Sequence, residues 1–143
     1  MSVVVWDGTT LAADRQCTSA GSRRTATKIW KHEHNLIGGV GVLTSLHAMV
    51  NWVSGGMDPK QFPAIKDDDQ LTMFVIPKVG LPVRFENSQF PIPIEDKWFA
   101  AGTGCDYAYG AMEMGADSKR AVQVACVYDI YCGQGVDTLT FES

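Results

Sequence analysis

A chain of 143 residues with 45% apolar and 20% charged side chains and a net charge of −4 fits one domain, 1–143, around one core, far from the composition of disordered chains. The acidic balance and the lack of a Lys/Arg stripe argue against a nucleic-acid partner. No apolar run approaches 18 residues and no basic segment leads into a short apolar one, so neither a membrane partner nor secretion is expected, and the location is expected to be cytoplasmic.

The chain opens Met1-Ser2-Val3-Val4-Val5-Trp6-Asp7, an apolar strand headed by a hydroxyl. Removal of Met1 would leave Ser2 with a free α-amine beside its own Oγ. An α-amine titrates at about 7.7–8.0 and so accepts a hydroxyl proton near neutrality. Retention of Met1 would displace the amine by one residue and remove that pairing. Asp7-Gly8 predicts a two-residue hairpin turn, and Thr9 to Ala13 the returning strand. Alternation puts Thr10, Ala12 and Asp14 on one face, aiming Asp14 back toward the chain start.

Arg15 to Arg24 reads as a short strand and a turn around Gly21-Ser22. Thr25 to Lys31 alternates as a strand in which Ala26, Lys28 and Trp30 share a face. A lysine on an apolar face either takes an acidic partner or extends its amine past the aromatic ring to water. Asn35 to Gly41 is a buried strand with Gly38, Gly39 and Gly41 near its end, backbone that admits a close ligand and can present N–H groups to an oxyanion. It is not a phosphate loop, because the Lys-Ser/Thr ending is missing.

Leu43 to Ser54 predicts a helix with Leu43, Leu46, Met49, Val50 and Val53 on one stripe, a cap at Thr44 or Ser45, and an end at Gly55-Gly56. Met57 to Asp69, with two prolines and Asp67-Asp68-Asp69, reads as a solvated connection. Strands are expected over Leu71 to Ile76, Val83 to Phe85 and Trp98 to Ala101, with a proline-punctuated crossing from Asn87 to Glu95. Helices follow over Cys105 to Met114 and Asp117 to Ile130, the second burying Ala121, Val124, Ala125 and Tyr128; Val136 to Phe141 closes as a strand. Strands, helix, strands, two helices and strand suggest antiparallel sheets with helices on the outer faces. Cys17, Cys105, Cys126 and Cys132 form no Cys-x-x-Cys pair and are expected reduced. His32, His34 and His47 are not spaced with them as zinc ligands.

In this order the fragments resemble a proteasome β-type subunit, and within that group the HslV peptidases, of the N-terminal nucleophile hydrolase superfamily. Ser2-Val3-Val4-Val5 resembles the opening strand headed by a catalytic threonine. Asp14 falls at the family's aspartate, Lys28 at its lysine, and Ile37-Gly38-Gly39-Val40-Gly41 resembles its oxyanion segment, with Gly39 as donor and Gly41 as the alternate. Ala101-Gly102-Thr103-Gly104 resembles the Gly-Ser-Gly turn, putting Thr103 at the serine's place. Asp129-Ile130-Tyr131-Cys132-Gly133 resembles the aspartate segment near the nucleophile.

The resemblance implies an α+β fold, a four-layer αββα sandwich of two antiparallel sheets. It implies Ser2, Asp14, Lys28, Gly39, Thr103 and Asp129 as catalytic residues and Gly41, Cys17 and Ala26 as substrate-binding ones. It also implies a peptide or protein substrate, a homo-oligomer of stacked rings, and an ATP-dependent unfoldase as possible partner. The chemistry takes no metal or organic cofactor, although a structural cation on carbonyl oxygens between Asp129 and Gly135 is compatible with the analogy. A silent assembly module and a small-molecule amidase are the alternatives within the same fold. Three departures stand out: serine in place of threonine at the nucleophile, Cys132 where a serine or threonine is usual, and a short proline-bearing segment where a second long helix follows the first.

Overall fold

The computed structural model describes residues 2–66 and 69–142. Met1, and Asp67 and Asp68 of the acidic run, lie outside the described residues, as does Ser143. In chain order the elements are β1 (Val4–Trp6), β2 (Leu11–Asp14), β3 (Gln16–Ser19), β4 (Ser22–Thr25), β5 (Ile29–His32) and β6 (Asn35–Gly41). There follow α1 (Leu43–Ser54), a 3-10 turn at Pro59–Gln61, β7 (Leu71–Pro77), β8 (Val83–Phe85), β9 (Ile92–Pro93), β10 (Phe99–Ala101), α2 (Cys105–Glu113), α3 (Ser118–Tyr128) and β11 (Val136–Leu139).

Two antiparallel sheets carry the fold, one ordered β10-β1-β2-β11 and the other β5-β6-β7-β8-β9, with β3-β4 as a separate hairpin. The period of two in the strands sorts the apolar residues into layers. Val4, Trp6, Leu11 and Ala13 of the first sheet meet Ile29, Leu36, Phe74 and Ile76 of the second in the inner core. The opposite faces go outward: Val3, Val5 and Ala12 lie against Ala108, Met112, Ala121, Val122 and Ala125 of α2 and α3. Ile37, Met73, Val75 and Phe85 lie against Leu46, Met49, Trp52 and Val53 of α1. The result is the expected α+β arrangement, a four-layer αββα sandwich.

Among the described residues α1 alone covers the second sheet as a long helix; Phe62 and Ile65, from the connection that follows, pack against the same cluster. Among the described residues no helix is long and apolar enough to cross a membrane.

Local departures from the sequence reading have identifiable causes. The first turn spans four residues, because Asp7 accepts hydrogen bonds from the N–H groups of Thr9 (2.9 Å) and Thr10 (2.8 Å) and so delays the return to Leu11. The predicted strand over 25–31 is broken. The Ala26 N–H goes to the Arg15 carbonyl (2.8 Å), and β5 begins only after Lys28. Neither Thr44 nor Ser45 caps α1; Val42 is its N-cap without a side-chain bond, and Ser45 Oγ instead donates to Asp69 (3.0 Å). In α3 the buried residues are Ser118, Ala121, Val122 and Ala125, one step round from the predicted stripe, which leaves Tyr128 exposed and stacked on Tyr107.

Candidate active site

The site begins with the pairing of β1 and β2. Val4 lies opposite Ala13, so the next pair outward brings Asp14 beside Val3, where the Asp14 N–H donates to the Val3 carbonyl (3.2 Å) and the Val3 N–H to Asp14 Oδ1 (3.0 Å). Asp14 Oδ2 accepts from the N–H groups of Gln16 (3.2 Å) and Gly133 (3.1 Å). The carboxylate is fully buried, a placement tolerable only with such donors and a cation.

The cation is Lys28. Its Nζ lies 2.7 Å from Asp14 Oδ1 and 2.6 Å from Ser2 Oγ. Ser2 is 6% and Lys28 4% exposed. The serine hydroxyl, the ammonium and the carboxylate thus form one buried chain, set by three separate segments of sequence.

On the other side of Ser2, Gly102 at φ +102° turns the backbone against the Ser2 carbonyl, where a Cβ would collide. This turn lets the Gly104 N–H reach the Ser2 carbonyl (3.1 Å) and places Thr103 Oγ1 3.2 Å from the Ser2 nitrogen, which donates to it. Thr103 in turn hydrogen-bonds Asp129. Asp129 also accepts from the Tyr131 N–H (2.8 Å) and from the Cys132 thiol (3.4 Å).

Burial pushes the Asp129 carboxyl upward, but the bonds from Thr103, Tyr131 and Cys132 outweigh it and hold the group below the ordinary carboxylate range. The Cys132 thiol is pushed far up by burial and by Asp14 and Asp129, so it stays protonated and can donate. Cys126 is likewise pushed up to about 11, first by burial and then by Asp14.

The glycine segment of β6 behaves differently from the expectation. The Gly39 N–H donates to the Lys28 carbonyl (3.0 Å) and is therefore occupied in the sheet. Gly41, two residues on, points its N–H to the same edge but lies past the start of β5, at a cavity. Gly41 has φ +128°, and a Cβ there would run into the Gln70 carbonyl, so the close backbone approach requires glycine.

The cavity, of about 230 Å³, is lined by Ser2, Cys17, Ala26, Lys28, Gly41 and Leu46, among others. All three predicted substrate-binding residues therefore border the cavity beside Ser2. Thr103 and Asp129 instead sit on the nitrogen side of Ser2.

Gln16 went unnoticed in the sequence. It is buried, and its side chain donates to the Ile130 carbonyl (3.0 Å) and Thr18 (3.2 Å), tying β3 to the loop after α3. Its one signal is a polar residue two positions beyond Asp14, where alternation returns the side chain to the same face. Between Asp129 and Gly133 the carbonyls of Asp129, Ile130 and Gly133 accept from Cys132, Gln16 and Arg15.

No family model matches the chain, and no curated protein matches it. Solved structures do. Eukaryotic HslV from Trypanosoma brucei is 18% identical over 96% of this chain and 97% of that one, with a TM-score of 0.69. BPH from Thiobacillus denitrificans, in complex with epoxomicin, is 15% identical over 96% of each chain, with a TM-score of 0.69. The Gly-1 mutant of Anbu from Hyphomicrobium sp. strain MC1 is 11% identical over 98% of this chain and 81% of that one, with a TM-score of 0.71. Identities this low speak for architecture alone: the chain has a fold similar to that of the HslV-like N-terminal nucleophile hydrolases, with a buried Ser2 hydrogen-bonded to Lys28.

Proposed function

We propose that this chain hydrolyses peptide or amide bonds with Ser2 Oγ as nucleophile, made competent when the bond before Ser2 is cut. The observation that carries this reading is Lys28 Nζ held between Ser2 Oγ and Asp14 at 2.6 and 2.7 Å, at the wall of a cavity. The freed Ser2 nitrogen takes the hydroxyl proton as Oγ attacks the carbonyl carbon. Lys28, itself fixed by Asp14, donates to Oγ and favours its anionic form. Thr103 accepts from the nitrogen and, through Asp129, keeps it oriented.

The Gly41 N–H, rather than that of Gly39, stabilises the tetrahedral oxyanion. The ester formed on Ser2 is then hydrolysed by water, whose proton passes to the same nitrogen. Cys17 and Ala26 line the acyl side with Leu46. Release of a peptide amide is the test: the processed chain turns over, its kcat/KM climbs with pH through about 7.7–8.0 as the amine deprotonates, and Ser2→Ala does not. Turnover retained in Ser2→Ala would exclude this serine.

The chain further acts as a cytoplasmic homo-oligomer that takes a peptide or protein substrate, with an unfoldase as partner. Supporting self-association, Val127 and Ile130 are each 71% exposed beside Tyr128 and Tyr131 at the end of α3, an apolar surface that a second copy would cover. Sedimentation is expected to give a multimer that Tyr128→Glu disperses; a monomeric wild type would remove this part of the reading.

A further inference from the structure

The cavity beside Lys28 is lined by Ser2 itself. A second cavity, of about 560 Å³, lies across the 40–42 segment and is bordered by Gln70, Leu71, Thr72, Gly102 and Thr103. Val40, Gly41 and Val42 line both cavities. Ser2 spans the division: its Oγ meets Lys28, which lines the first cavity, and its nitrogen meets Thr103, which lines the second.

We propose that the second cavity is a leaving-group subsite that takes the amine-side segment of a peptide substrate, with Gln70 and Thr72 as residues that determine its preference. This inference rests on Ser2 acting as the nucleophile. When Oγ bonds to the carbonyl carbon, its proton moves to the Ser2 nitrogen. When the C–N bond then breaks, that proton must reach the departing nitrogen, so the departing nitrogen stands on the side of the Ser2 nitrogen. That side is Thr103 and the second cavity. Water later cleaves the ester, gives one proton to the nitrogen, and Oγ recovers it as the acid leaves.

The second cavity's walls fit a peptide better than a small amine. At about 560 Å³ it has the volume of a cleft that takes a ligand of several groups, whereas the cavity beside Lys28, at about 230 Å³, is smaller. Among the described residues, none that borders it is charged. The Gln70 carbonyl accepts from the Val42 N–H (3.3 Å), which fixes its backbone while its side chain is exposed. Thr72 lies half-buried on β7 opposite Val40. An amide and a hydroxyl placed in this way match the neutral donors and acceptors of a peptide backbone.

The experiment compares two substrates that share one acyl peptide, one releasing a small aromatic amine and the other a three-residue peptide, in processed wild type, Thr72→Val, Thr72→Ser and Gln70→Ala. The extended substrate is expected to gain about tenfold in kcat/KM, because remote binding lowers the barrier at the reacting centre. Thr72→Val and Gln70→Ala lose most of that gain, Thr72→Ser keeps it, and hydrolysis of the small-amine substrate is unchanged in all of them. Labelling of Ser2 by an electrophilic peptide that fills only the acyl side runs in parallel. Labelling without any gain from extension, or equal losses on both substrates, overturns the subsite and leaves the nucleophile standing. No labelling overturns the nucleophile, and the subsite falls with it.

Discussion

Replacing Lys28 with methionine removes the cation from the buried chain at nearly constant side-chain volume. At 2.7 Å the attraction between Lys28 and Asp14 amounts to roughly 6 kcal/mol at an effective dielectric constant near 20, before the cost of taking both groups from water. Removing one partner of such a pair typically costs about 3–5 kcal/mol, since the remaining charge is left buried. Asp14 keeps three backbone donors, from Val3, Gln16 and Gly133, which places the expected loss at the lower end, about 3 kcal/mol.

Asp14→Asn is expected to destabilise by a similar amount. The double variant should fall short of the sum by about 2 kcal/mol, because the second change removes a partner already lost. Urea unfolding of the four proteins measures this. Additivity within about 0.5 kcal/mol would refute an energetically coupled pair. Turnover by a folded Lys28→Met comparable to wild type would refute its assistance to Ser2.

Three further outcomes follow from the same geometry. Leu46→Ala, at a buried α1 position that also lines the cavity beside Ser2, should cost about 2–5 kcal/mol in denaturant unfolding and shift acyl preference toward bulkier side chains in a peptide panel. Gly41→Ala, at φ +128° against the Gln70 carbonyl, should lower stability by about 1–3 kcal/mol and lose turnover together with it.

Asp7 gives the pH dependence. Burial raises its pKa, but the N–H groups of Thr10, Ser118 and Thr9 outweigh this and hold it below the usual value. A carboxyl lowered in the folded state contributes stability that is complete above its unfolded pKa of about 3.9 and disappears as pH falls through the lower folded value. Asp7→Asn should therefore flatten the acid limb of a stability profile below about pH 4 while costing stability at pH 7.

Where the apolar pattern decides the structure, the sequence was readable. β6 and α1 occupy the predicted residues because an uninterrupted apolar run and a helical stripe each admit one burial. Ser2, Asp14 and Lys28, drawn together from three separate places, follow the resemblance as well as the alternation along β2. The errors arise where a hydrogen bond from elsewhere in the chain intervenes. Arg15 takes the Ala26 N–H and ends the apparent strand before Lys28, and Asp69 draws Ser45 away from capping.

The choice between Gly39 and Gly41 depends on how far β5 extends along the edge of β6, which is a matter of register that the glycine motif does not encode. In α3, small Ala121, Val122 and Ala125 permit close approach to β1 and β2, so packing shifts the buried face away from the bulkier Tyr128. Gln16 carried only the alternation from Asp14 as a signal, because its partners Ile130 and Thr18 are set by tertiary structure.

The central claim is that Ser2, once freed at its nitrogen, is the reacting group. Intact mass before and after incubation with an electrophilic peptide, followed by mapping of the modified residue, tests it most directly. The expected result is a chain that begins at Ser2 and carries one adduct on Ser2, absent from Ser2→Ala. A chain beginning at Ser2 that takes no adduct, or takes it elsewhere, would contradict the account.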